Sequence, residues 1–317
     1  MKLADIYVRD PFILPYNGKY YLYKSDYPCI KVHTSEDLEE WSEAKSVFTR
    51  PDGFWSDRDF WAPECHEYKG NFYLFVSFKS EDRCRGTQIL RSASPEGPFE
   101  PISDYPQTPA NWESLDGTLW IEDGKPYMVF AHEWLQIADG TMAYVPLSDD
   151  LSAPIGEAVT MFKASDAPFA NPLSSESAQE KLGTDGLYVT DAPWMYRSPD
   201  GRLHMLWATF GPWGYTETSA VSSNGRLDGE WTQEEPLYKG DGGHAMVFRS
   251  FDGKLYLSLH SPNSGGLERA HFIELEETEQ GYKVKEEGPV SGSVEPYTRI
   301  SGSKILKSTS IIHSFLS

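Results

Sequence analysis

The 317-residue sequence is short of positive charge, of cysteine and of long apolar runs, and each shortage removes a class of function. Lys and Arg number 28 against 48 Asp and Glu, for a net charge of −20. Phosphate binding needs a basic footprint, so no nucleic-acid partner is expected. Acidic polymers are disfavoured by the same sign of charge, which leaves a small neutral molecule as the expected partner. Cysteine occurs three times, at Cys29, Cys65 and Cys84, an odd number without C-x-x-C spacing. That argues against a disulfide framework or a zinc site and fits reduced thiols. No apolar run approaches the ~18 residues of a spanning helix, so no membrane partner is expected. The opening Met1-Lys2-Leu3-Ala4-Asp5 shows no apolar signal region, and a cytoplasmic location is the expectation. Helical periodicity is scarce as well, while Gly and Pro number 26 and 22.

Aromatic residues are plentiful at 14% of the chain, which suits β-strands or a sugar-binding surface. They gather in one repeated phrase, a glycine turn followed by an apolar strand. Its copies are Tyr16-Asn17-Gly18-Lys19-Tyr20-Tyr21-Leu22-Tyr23, Tyr68-Lys69-Gly70-Asn71-Phe72-Tyr73-Leu74-Phe75, and the runs around Gly124, Gly201 and Gly253. Successive glycines stand 52, 54, 77 and 52 residues apart. Repeats of this size with several strands each point to an all-β five-bladed β-propeller, whose closed ring protects its sheet edges. Each unit continues to a turn and an apolar rim anchor, as in Ser35–Trp41, Ser94–Phe99, Leu147–Leu151 and Leu227–Trp231. The long interval comes from residues 152–186, read as a Pro-rich surface excursion with one short helical turn near Leu173–Lys181; a lid over the funnel is the functional alternative. Residues 1–295 are expected to form one catalytic propeller, with Tyr282–Lys285 as its last outer strand. Residues 296–317 are a tail or a closing segment.

A polar residue precedes each hairpin glycine by six to ten positions: Asp10, Glu64, Asp116, Asp191 and His244. In a propeller the innermost strands begin around a common funnel, so these five should converge. Several carboxylates facing one partly desolvated funnel repel one another, and such a cluster points to function rather than stability. The chemistry that wants paired carboxylates around a neutral substrate is glycoside hydrolysis. One carboxylate stays ionised to activate water. Another must hold a proton for the leaving oxygen, and a third beside it raises its pKa. Trp61 and Trp194, beside two of these positions, are candidate sugar-stacking rings, with inter-blade packing as the alternative role. His132-Glu133-Trp134-Leu135-Gln136 begins like a zinc-protease motif but has Gln136 where the second His belongs.

The phrases Arg9-Asp10-Pro11-Phe12, Phe60-Trp61-Ala62-Pro63-Glu64, Leu115-Asp116-Gly117-Thr118-Leu119, Thr190-Asp191-Ala192-Pro193 and Gly242-Gly243-His244 resemble, in order and spacing, the five blade-start motifs of glycoside hydrolase family 43. The resemblance runs from about residue 5 to about residue 275. It implies a five-bladed propeller of the inverting arabinofuranosidase, xylosidase and arabinanase kind. Asp10 would be the general base, Asp116 the residue that tunes and orients the acid, and Asp191 the general acid. Glu64, Trp61, Trp194 and His244 would meet substrate. The resemblance also implies a structural calcium at the axis beside His244, held largely by water, with no cofactor required for the reaction. One departure stands out. The family's common pattern has Glu where this chain has Asp191. Asp is one methylene shorter, which sets its carboxyl about 1.5 Å further back, and errors of that size cost about 10²-fold in rate. Glu64 is the alternative acid. A neutral oligosaccharide ending in α-L-arabinofuranose or β-D-xylose is the expected substrate. A sugar-binding propeller without catalysis, or a glycosidase for another furanoside such as β-D-galactofuranoside, is the alternative.

Overall fold

The computed structural model describes residues 1–174, 180, 182–184 and 186–285. Its strands form five four-stranded antiparallel sheets, each built from one uninterrupted stretch of chain in the order of the sequence. The first comprises β1 (Phe12–Tyr16), β2 (Lys19–Asp26), β3 (Cys29–Ser35) and β4 (Lys45–Thr49). The second comprises β5 (Arg58–Tyr68), β6 (Asn71–Ser80), β7 (Arg83–Ser92) and β8 (Glu100–Pro101). The third holds β9 (Ser114–Glu122), β10 (Lys125–His132), β11 (Thr141–Pro146) and β12 (Val159–Lys163). The fourth holds β13 (Asp191–Arg197), β14 (Leu203–Gly211), β15 (Gly214–Ser222) and β16 (Trp231–Gln233). The fifth is β17 (Gly243–Arg249), β18 (Leu255–Ser261), β19 (Arg269–Thr278) and β20 (Gly281–Val284). These are the blades of the expected propeller, and Tyr282–Val284 falls in the last outer strand as read from the sequence.

The repeated glycine closes the hairpin between the first and second strand of every blade. Gly18, Gly70 and Gly124 have φ near +76°, and the residue before each (Asn17, Lys69 and Asp123) is also left-handed. That is the paired positive φ of a two-residue turn matched to strand twist. No atom stands within 4 Å of a Cβ built at these three glycines, so conformation rather than space demands glycine there. The second strands carry apolar residues on both faces in their middle stretches because neighbouring blades cover both faces. Leu22, Tyr23, Leu74, Phe75, Phe130, Trp207 and Leu257 are all fully buried. Each such side chain contributes about 1.5–3 kcal/mol by leaving water. The rim anchors are buried as expected at Trp41, Phe99 and Leu151, while Trp231 is half-buried. They sit in the turns that lead into each blade's fourth strand.

The excursion is partly structural. Its residues 159–163 supply β12, the outer strand of the third blade. Beyond it, Leu173 pairs with Leu187 and packs with Trp134, Val189 and Phe210. The helical turn expected near Leu173–Lys181 lies partly outside the described residues. The boundary at 295 and the segment 296–317 lie wholly outside them. Among the described residues no helix is long and apolar enough to cross a membrane.

Ring closure is made at the other terminus. Tyr7 forms an antiparallel bridge to Arg269, Val8 donates its N–H to the Glu268 carbonyl (3.4 Å), and Arg269 Nε donates to the Ala4 carbonyl (2.9 Å). Leu3, Ile6 and Val8 join Phe248 and Phe272 in one apolar cluster between the first and fifth blades. Across the same seam, buried Ser258 Oγ donates to the Pro11 carbonyl at 2.8 Å. Ser258→Ala leaves that carbonyl without its donor and should lower unfolding stability by about 1–3 kcal/mol. Denaturant melts of the two proteins measure it, and equal midpoints at equal slope would show that the bond carries no weight in closing the ring.

Candidate active site

The funnel is set by backbone geometry at the start of each inner strand. Every blade has a left-handed residue there: Asp10 (φ 53°), Ala62 (46°), Asp116 (56°), Ala192 (57°) and His244 (57°), and the second blade has Asp59 (57°) besides. Each of the first five stands eight or nine residues before its hairpin glycine. A side chain at positive φ costs on the order of 1–3 kcal/mol, and Asp and His tolerate it better than most. In every blade but the first the pairing register shifts around it, as between Asp191 and Trp194 or Gly243 and Met246. Such bulges re-aim side chains, and Asp10, Asp116, Asp191 and His244 meet in one pocket of about 350 Å³. Trp61 also lines this pocket.

Two expected site residues are elsewhere. In the second blade the left-handed position belongs to Ala62, two residues before Glu64. Glu64 instead lies further along β5, bonded to His66 Nε2 at 3.0 Å, and does not line the pocket. This removes Glu64 as a candidate acid or substrate contact. Trp194 meets Phe12 edge-on at 5.8 Å and stacks on His66 at 6.1 Å. It lines a separate, largely apolar cavity of about 500 Å³ further along the inner strands. Trp194 therefore reaches across the axis to the first and second blades, in a packing position away from the carboxylates. No described residue of 152–186 lines the pocket, so the lid reading has no support from these residues.

The electrostatics turn on His244. Its Nδ1 is 3.0 Å from Asp10 Oδ1 and 3.8 Å from Asp116 Oδ2. Burial pushes its pKa down, but the charges of Asp10, Asp116 and Asp191 outweigh burial and lift it to about 10. The ring is an imidazolium at neutral pH. Burial likewise pushes Asp10 up, yet His244 and Arg9 reverse this and hold it well below the usual carboxylate range. Asp116 and Asp191 go the other way. Burial raises both, His244 only partly offsets it, and the neighbouring carboxylates, Asp10 among them, add to the rise. One site thus holds an ionised carboxylate and a carboxyl pair that retains a proton.

Hydrogen bonds fix these groups in place. Asp116 Oδ2 accepts the Ala192 N–H (3.1 Å), while the Asp116 and Gly117 N–H groups donate to Ser77 Oγ (2.9 Å) and Thr87 Oγ1 (3.0 Å). Tyr215 OH donates to Asp191 Oδ2 at 3.0 Å. His260 Nδ1 accepts the Asp10 N–H at 3.2 Å, which places the ring proton on Nε2, 3.3 Å from Asn263 Oδ1. Burial pushes His260 down to about 3, so it stays neutral beside a charged neighbour. Glu217, wholly buried, accepts the Ala245 N–H at 3.1 Å, and burial raises it far above the usual range.

Sequence reasoning did not single out Arg9, Asp59, Tyr215, His260 or Glu217. Arg9 and Asp59 border quoted phrases and line the pocket, so proximity to a motif was a usable signal for them. Tyr215, Glu217 and His260 sit on second and third strands, where no repeated phrase marks them. The expected calcium finds no protein cage. Calcium takes about six to eight oxygen ligands, and among the described residues no group of three or more His, Cys, Asp or Glu could hold a metal. Two imidazoles are on hand, His244 and His260, and Nδ1 of each faces Asp10. These residues form no protein cage for a metal, the expected calcium is one held largely by water, and no step below uses a metal.

Residues 5–282 match the family described as "Glycosyl hydrolases family 43". The crystal structure of an endo-arabinase from Bacteroides thetaiotaomicron is 38% identical, covers 89% of this chain and 98% of its own, and superposes with a TM-score of 0.83. The extracellular exo-alpha-(1->5)-L-arabinofuranosidase ArbA of Cellvibrio japonicus is 24% identical over 80% of this chain and 78% of its own. Xylosidase/arabinosidase 43A of Humicola insolens is 25% identical over 42% of this chain, a stretch that spans 46% of that relative.

The two neighbouring histidines should titrate at opposite extremes. Imidazole NMR should find His244 protonated until pH rises to about 10 and His260 neutral until pH falls to about 3. Titration of His244 near its ordinary 6.5 would dismantle the charge arrangement. The linked stability follows in sign. The contribution of His244 is full below 6.5 and is lost as pH climbs through about 10. That of Asp10 is present above the ordinary carboxylate range and is lost on acidification through its lowered pKa.

Proposed function

The chain belongs to glycosyl hydrolase family 43, and from that premise we propose that it is an inverting glycosidase that releases terminal neutral pentoses, with α-L-arabinofuranosyl units first and β-D-xylosyl units second. The observation that carries this reading is the convergence of Asp10, Asp116 and Asp191 on a single pocket, with His244 Nδ1 3.0 Å from Asp10 and 3.8 Å from Asp116, an asymmetry that lowers Asp10 while burial raises the other two. Water bound on one face of the sugar gives its proton to Asp10 as its oxygen bonds to the anomeric carbon. On the other face the carbon–oxygen bond to the leaving sugar breaks, and that oxygen takes the proton of Asp191. Asp191 and Asp10 push Asp116 upward by repulsion, and Asp116, oriented by the Ala192 N–H, shares the retained proton of the pair with Asp191. The His244 imidazolium holds Asp10 ionised. A carboxylate held so low is a weak base, but water attacking an oxocarbenium-like carbon is strongly acidic, so a weak base suffices.

A pocket of about 350 Å³ is at the small end of the range for ligands, which favours a short terminal unit over a long chain. Its carboxylates disfavour acidic sugars. The likeness to proteins named endo-arabinase and arabinofuranosidase favours arabinose over xylose.

Asp10→Asn should lower kcat/KM by about 10²–10⁴-fold. Asp191→Asn should lose comparably on natural disaccharides and less on 4-nitrophenyl glycosides, whose leaving group needs no proton. Normal turnover in the Asp10 variant removes it from the base role. The pH dependence of kcat/KM should be bell-shaped. Its acid limb lies below the ordinary carboxylate range, where Asp10 takes up a proton, and its alkaline limb lies above that range, where the acid pair gives one up. Proton NMR of the first sugar released should show the inverted anomer, and retention would overturn the mechanism. Measurable sugar binding without hydrolysis of any arabinofuranoside, xyloside or galactofuranoside would leave a binding protein in its place.

A further inference from the structure

On the second blade, where no catalytic carboxylate faces the pocket, a different assembly does. Asp59 and Trp61 both line it. Both depend on Arg85, which reaches over from β7. Arg85 Nη2 donates to Asp59 Oδ2 at 2.8 Å, and its guanidinium lies 4.2 Å from the centre of the Trp61 ring. The other arm, Nη1, donates to Glu133, which is 1% exposed. Arg85 itself is 3% exposed. A buried guanidinium clamped between two carboxylates and an indole has little freedom, so it fixes the plane of the ring and the direction of the carboxylate together. Asp59 is also left-handed, at φ 57°, like the catalytic residues beside it. Its side chain stays 16% exposed while its partners are buried.

We propose that Asp59 is a specificity-determining residue that accepts hydrogen bonds from hydroxyl groups of the bound sugar, and that Arg85 is its positioning residue. The proposal rests on the reading of this pocket as a glycosidase site. The chemistry fits a polyol. A carboxylate accepts from hydroxyls with charge-assisted bonds, and an indole covers the apolar C–H face of the same ring. Nothing in the catalytic trio needs a further carboxylate, and Asp59 stands on the wall opposite the fourth blade, which carries Asp191. Its contact with Arg85 fixes the face that the carboxylate turns to the pocket.

The test uses the full chain and a substrate series: 4-nitrophenyl α-L-arabinofuranoside and its 2-, 3- and 5-deoxy analogues. Asp59→Ala and Asp59→Asn should lower kcat/KM on the parent sugar by about 10- to 100-fold. One deoxy analogue should be correspondingly poor for the native protein yet no poorer than the parent for the variants. Both limbs of the pH profile should stay in place. Arg85→Lys keeps the charge and loses the planar fork, so it should raise KM more than it lowers kcat. Arg85→Met strands Glu133 and is the variant at risk of not folding, so the Asp59 variants carry the test. Equal losses on every analogue, or native discrimination retained in Asp59→Ala, overturn the proposal alone. If the native protein hydrolyses none of these glycosides, calorimetric binding of α-1,5-arabinotriose decides instead. Binding weakened by Asp59→Ala keeps the proposal and removes the hydrolase, whereas binding that is absent or indifferent to Asp59 removes both.

Discussion

An imidazolium surrounded by carboxylates holds this site together. Desolvating His244 opposes its charge, and desolvating Asp10, Asp116 and Asp191 opposes theirs, so none of the four would carry its charge pattern alone. Together one positive charge is shared unequally. Asp10, at 3.0 Å, takes most of it and is ionised; Asp116, at 3.8 Å, takes less and rises. The difference between a base and a proton-holding pair comes from such distances, and those come from where the strands of different blades begin. The left-handed residues, the bulges around them and the neutral His260 beneath Asp10 all serve to keep that arrangement.

The sequence disclosed the architecture well, because the hairpin glycine is demanded locally. A turn with φ near +76° has one good residue, so Gly18 and its counterparts recur where the blades do. Counting back from those glycines located Asp10, Asp116 and His244. It failed at Glu64 for a reason now visible. The funnel position is set eight or nine residues back, and in the second blade that residue is Ala62. Polarity was the wrong guide there and conformation the right one. Trp194 misled in a similar way. It follows Ala192 past a register shift, which turns its ring toward Phe12 and His66 in the channel. Tyr215, Glu217 and His260 could not be read at all. They act across blade boundaries from strands whose polar residues follow no period.

Asp191, short for the acid role proposed for it, is positioned by its surroundings. Asp191 stands one residue before the left-handed Ala192, receives a hydrogen bond from Tyr215 and lines the pocket with its two partners. The Ala192 N–H is itself spent on Asp116. Asp191 and Asp116 are therefore tied through one peptide unit, and a shift of either backbone moves both.

No strand is lent from one blade to another among the described residues, so the ring is fastened at its seam by the short clip from Ala4 to Val8 and by side chains such as Ser258 and Arg9. That fastening ends one residue before Asp10, and His244 and His260 come from the blade on the far side of it. Asp10 and the histidines beside it thus face each other across the joint where the circle could open. Loosening the joint by a fraction of an ångström would separate Asp10 from His244 while leaving every blade intact. The site is in this sense a gauge of closure, and its competence is lost before the sheets themselves come apart.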